Sequence, residues 1–217
     1  MAAGNVAWTA ALLAWVLAVP LWFLSRFFVV VAHEGGHALL AVLLFRAVKA
    51  IRFERGGGGS TEPKEALPWL VDIFVTMAGY LGPSLFGLAG AWMLLHGHVD
   101  GVLWASLAFL VLMLIAVRGF LGWLLVPGLI VLIWMMATKA DGPVQALYAH
   151  VWVWLLLIGA VQRMLVFMTW RDYTIEGGDA DVLRRRTLVP REIWAVVFLA
   201  GTVVALVWGG GLLLRNA

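Results

Sequence analysis

Phe27-Phe28-Val29-Val30-Val31-Ala32-His33-Glu34-Gly35-Gly36-His37-Ala38-Leu39-Leu40-Ala41-Val42 is an apolar run with two histidines and a glutamate at its centre. Its composition reads as a membrane-spanning helix. In a helix His33 and His37, at i and i+4, share one face one turn apart, and that spacing lets two imidazoles bind one tetrahedral zinc. Glu34 points about 100° away, and its usual part in such a motif is to take a proton from water rather than to ligate. The plainer alternative is a pair of membrane histidines hydrogen-bonded to neighbouring helices. A charged side chain at mid-bilayer costs roughly 2.5–3.5 kcal/mol on insertion scales, so its presence asks for a function.

The rest of the chain has the composition of a membrane protein. Its 217 residues are 64% hydrophobic with a mean hydropathy of +0.98, well above a soluble domain. With no cysteine, a disulfide or a thiolate metal ligand is excluded, so a metal site must use histidine and carboxylate. The net charge of +3 is modest and the basic residues cluster between apolar runs. That pattern points to membrane orientation and away from nucleic acid.

Working outward, the expectation is an all-α polytopic membrane protein forming one domain over 1–217. About seven transmembrane helices are expected, over 6–24, 27–45, 69–95, 102–117, 120–137, 144–170 and 192–214. The first lacks a basic flank and a clear cleavage site, so it reads as a retained span and not a signal peptide. Residues 46–68 read as a loop outside the membrane. In it Ala50-Ile51-Arg52-Phe53-Glu54 alternates as a short strand does, and Gly56–Ser60 reads either as a glycine-rich turn between two strands or as a flexible linker. Pro83 is expected to kink the third span. Asp72 reads as interfacial or paired with a loop arginine, and His150 as a packing residue. The loops 46–68 and 171–191 carry five Lys/Arg each. With seven spans both fall on one side, so they and the N-terminus are expected in the cytoplasm.

Three stretches together resemble the site-2 protease family of intramembrane zinc metallopeptidases, in its compact bacterial branch. They are Val31–Ala41 with its His-Glu-Gly-Gly-His; Val48–Phe53 through the Gly56–Thr61 turn to Met77-Ala78-Gly79-Tyr80-Leu81-Gly82-Pro83-Ser84; and Gly178-Asp179-Ala180-Asp181-Val182-Leu183 followed by Thr187, Pro190 and Trp194. The resemblance implies zinc held by His33 and His37, water activated by Glu34, and an aspartate as third ligand. The match puts that ligand on Asp179, with Asp141, Asp181 and Asp72 as rivals. Asp179 lies in a loop, so it reaches the histidines only if residues 172–183 re-enter the membrane, a turn that Gly177-Gly178 would permit. The family also implies a bacterial cell-membrane protein that cuts a membrane-spanning protein substrate within the bilayer. This sequence departs from the family in lacking an asparagine after Gly82-Pro83, and in having Gly178 where serine is usual. The readings that compete are a non-catalytic membrane scaffold or chaperone of the same fold and a metal transporter. A transporter would carry ionisable residues at matching depth on several spans.

Overall fold

The computed structural model describes residues 3–172, 176 and 178–215. In chain order these form α1 (Ala3–Ala18), α2 (Trp22–Leu43), β1 (Val48–Phe53), β2 (Gly59–Pro63), α3 (Trp69–Leu95), α4 (Val99–Leu114), α5 (Phe120–Lys139), α6 (Gly142–Thr169), α7 (Asp179–Thr187) and α8 (Arg191–Leu213). Among the described residues, five helices are long and apolar enough to cross a membrane: α2, α3, α5, α6 and α8. The sequence reading counts seven. The two others, α1 and α4, are apolar but only 16 residues each. At 1.5 Å per residue each covers about 24 Å, short of a hydrocarbon core of about 30 Å.

The helices that hold the centre of the molecule are α2, α3, α6 and α8, with α1 against α6 and the α4–α5 pair at the side. In lipid no hydrophobic effect drives helix to helix, and close packing takes its place. The α2–α3 crossing shows how. A Cβ at Gly36 would lie 2.3 Å from the Ala78 carbonyl oxygen and 3.2 Å from the Gly82 α-carbon, so the two backbones touch where no side chain fits. Pro83 lies inside α3, buried at this crossing.

The segment 46–68 lies against the helices. β1 and β2 form an antiparallel hairpin, Ile51 opposite Thr61 and Phe53 opposite Gly59. The hairpin doubles back along α2. β1 is also paired on its other edge: the Ile51 amide donates to the Ala116 carbonyl and the Arg118 amide to the Ile51 carbonyl, both at 2.8 Å. Ala50, Ile51 and Phe53 are buried. At Ile51 both edges are thus paired, which satisfies a buried peptide group that would cost several kcal/mol if left unpaired out of water. The glycine run is the hairpin's turn. Gly57 adopts a positive φ of 82°, the Arg55 carbonyl accepts from Arg26 Nη2 at 3.2 Å, and the Gly57 carbonyl accepts from Arg163 Nη1 at 3.3 Å.

The segment between α6 and α8 holds the short α7. Its last turn is tied to the start of α3: Arg186 Nε meets Asp72 Oδ2 at 2.6 Å, and the Trp69 indole donates to the Arg186 carbonyl at 2.7 Å. Asp72 is thus paired with a loop arginine, as the sequence suggests. Gly177 lies outside the described residues.

Candidate metal centre

α2 delivers the histidines from its buried face. His33 and His37 are one turn apart with ring centroids 4.8 Å apart, and their Nε2 atoms are separated by 3.3 Å. The His37 ring is fixed at its far side, where Nδ1 donates to the Val75 carbonyl of α3 at 2.7 Å. That bond sets the tautomer of a neutral ring and leaves the Nε2 lone pair facing His33. The ring fits only because residue 79 is glycine, since a Cβ there would stand 2.1 Å from His37 Nε2. The His33 ring is braced by Tyr80, edge-on at 5.0 Å, which in turn stacks on Phe198 of α8 at 4.5 Å.

The third group comes from 142 residues further along the chain. Asp179 is the first residue of α7, and its Oδ2 lies 3.2 Å from both His33 Nε2 and His37 Nε2. The N-terminus of α7 reaches the histidines while its last turn stays at the start of α3. The rivals are elsewhere. Asp141 caps the opposite end of α6. It is 22 residues from Arg163, or about 33 Å along the helix. Asp181 is buried and engaged by Arg184, Arg185 and Arg191, and Asp72 by Arg186. Among the described residues, His33, His37 and Asp179 are the only cluster of this kind that could hold a metal ion.

The three donor atoms fit such an ion in two respects. Their mutual separations, 3.2, 3.2 and 3.3 Å, match the edge of a tetrahedron with bonds of about 2.0–2.1 Å, which is about 3.3–3.4 Å. Their chemistry also asks for a cation. His37 Nδ1 is taken up by the Val75 carbonyl, and two imidazole nitrogens and a carboxylate oxygen are left facing one another, a donor set that zinc takes.

Glu34 stands beside this cluster, 2% exposed. The β2 strand runs against it. Thr61 Oγ1 lies 2.7 Å from Glu34 Oε2, to which it donates, and 3.2 Å from the Glu34 carbonyl oxygen. A Cβ at Gly59 would fall 2.7 Å from Glu34 Oε1. The glycine-rich strand therefore lets the hairpin backbone lie directly on the carboxylate. His33, Glu34, His37, Asp179, Tyr80 and Arg163 all line one cavity of about 610 Å³, roofed by the turn at Gly56–Ser60.

Two of these residues escape the sequence reading. Thr61 gives no signal, because its role exists only once the hairpin has folded back on α2. Arg163 does give one. It is an arginine within an otherwise apolar span, carrying the same insertion cost that singles out Glu34.

The fold and the cavity define a class: a multi-pass membrane protein with a buried His-His-carboxylate cluster beside a glutamate. The chain belongs to the Peptidase M50B-like family, which matches residues 6–209, and so to the site-2 protease family. No curated protein and no solved structure matches it.

Proposed function

We propose that the protein is an intramembrane zinc peptidase that hydrolyses peptide bonds of membrane-spanning protein substrates. The observation that carries this is the tetrahedral spacing of His33 Nε2, His37 Nε2 and Asp179 Oδ2, with Glu34 poised beside them in the same cavity. When bound, zinc supplies Lewis acidity towards a water and towards a peptide carbonyl. Glu34 is the proton carrier: it takes the proton of the attacking water and hands it to the leaving amine. Thr61 orients the Glu34 carboxylate, and burial keeps bulk solvent from competing for it. The substrate segment must unwind to enter, because a helical backbone does not present its carbonyl to attack.

Metal content of the purified full chain tests this reading. Wild type should hold about one zinc. His33→Ala and Asp179→Ala should lose it, and Asp141→Ala should keep it. A wild-type protein prepared without chelator that binds no added zinc would sink the proposal.

Thr61→Val keeps the shape of the side chain and removes the hydroxyl. A hydrogen bond to a charged group contributes about 1.5–3 kcal/mol. Zinc should stay bound while cleavage falls roughly ten- to hundredfold, and Thr61→Ser should restore most of it. Full activity in Thr61→Val would show that Glu34 needs no such partner.

The same reading has α1 and α4, short as they are, complete seven spans where the bilayer thins around them, with the N-terminus, Lys64 and Arg185 at the cytoplasmic face of a bacterial cell membrane. The chain has no cysteine, so single introduced cysteines report sidedness cleanly. Lys64→Cys and Arg185→Cys should react with an impermeant maleimide only in inverted vesicles, and His98→Cys only in intact cells. Labelling of all three from one side would break the seven-span arrangement.

A further inference from the structure

Arg163 has no part in holding the metal or in activating water, yet it stands in the same cavity. It is placed by α6, two turns beyond Leu156 and one turn before Phe167. Its hydrogen bonding is sparse: Nη1 reaches the Gly57 carbonyl at 3.3 Å, and the buried Nε has no partner among the described residues. A guanidinium has five N–H donors, and leaving them unpaired out of water is expensive. It lines the cavity together with His33 and Glu34. The side chain is thus a cation with spare donors in the cavity that the histidines line, facing space that a substrate would fill.

We propose that Arg163 binds the carbonyl oxygen of the peptide group under attack and stabilises the negative charge that develops on it. The proposal rests on the peptidase reading above and assigns a further catalytic residue to it. The chemistry is that of a preorganised donor aimed at a developing oxyanion, which in a dry site contributes far more than in water. The long bond to Gly57 is the contact that the substrate oxygen replaces, so the hairpin turn and the substrate compete for one guanidinium.

Binding, not turnover, makes the test. In a Glu34→Gln background, the zinc-loaded full chain is titrated with N-acetyl-Leu-Leu amide and with its phosphonamidate analogue, whose tetrahedral anionic group imitates the attacked peptide bond. The parent should prefer the phosphonamidate by about a hundredfold or more. Arg163→Gln should cut that preference by about a hundredfold, the effect of removing one oxyanion donor. Arg163→Lys, which keeps the charge, should retain part of it. Zinc content equal to the parent's shows that the variants are folded.

An unchanged preference in Arg163→Gln would overturn the proposal while leaving the peptidase reading intact. So would an equal loss for both ligands, which marks Arg163 as only a latch on the turn. So would an Arg163-dependent gain on changing the amide to the free acid, which marks a carboxylate-end site. No preference for the phosphonamidate in the parent would instead count against the peptidase reading itself, and the proposal would fall with it.

Discussion

Glu34→Gln should abolish cleavage and leave the metal in place. The substitution keeps the shape of the side chain and its hydrogen bond from Thr61, and it touches none of the three metal-facing atoms. What it removes is the ability to take a proton. General-base catalysis contributes about 10²–10⁴ in rate, so turnover of a membrane-spanning substrate should fall by at least that factor at unchanged zinc stoichiometry. The measurement is cleavage in proteoliposomes beside metal analysis of the same preparation. If Glu34→Gln still cuts at the wild-type rate, Glu34 is not the base and the cluster has another purpose. If it loses zinc, Glu34 supports the ligands and is not simply a proton carrier.

Gly79→Ala should empty the site although every proposed ligand is intact. The new methyl group would stand 2.1 Å from His37 Nε2 and 2.2 Å from Cε1. Neither partner can give way. The ring is held at Nδ1 by the Val75 carbonyl, and α3 cannot back off from α2 as a unit because it is packed against α6 and α8. His37 must rotate out, and a set of three donors becomes two. Zinc affinity should fall by at least the hundredfold seen when a supporting contact of a metal site is removed, with helical content by circular dichroism unchanged. A Gly79→Ala protein that holds zinc as wild type does would mean that His37 is not a ligand.

These two variants bracket what could be read without the structure. His33, Glu34 and His37 are legible because a helix converts a spacing of four into a shared face, which is a purely local rule. Gly79 stands in the sequence only as part of a stretch that resembles the family; that it makes room for an imidazole follows from the α2–α3 crossing, which no local pattern encodes. Asp179 is local to nothing in the site. It was reached through resemblance alone, and loop residues near it, Asp181 among them, look equally suitable until α7 is seen to turn one aspartate to the histidines and the other into a cluster of arginines. The hairpin is legible in part, as one short strand and a glycine-rich turn. Alternation reveals that a segment is extended, but not that its second edge will be paired by residues 116–118 and its face laid on α2. The span count is the other gap: α1 and α4 are apolar enough, and the structure ends them at 16 residues.

The 142 residues between His37 and Asp179 have a topological consequence. Any ion bonded to both closes α3, α4, α5 and α6 into one covalently bounded ring, with the hairpin inside it. The entropy of closing a loop grows only with the logarithm of its length, so a ring of this size restrains the unfolded chain little more than one half as long. What it changes is the order of opening. α7 carries only nine residues, and with the ion present it cannot leave α2 without breaking a metal bond. Once the ion is chelated, α7 is held by its ties to α3 and α8 alone, and it becomes the weakest seam in the ring.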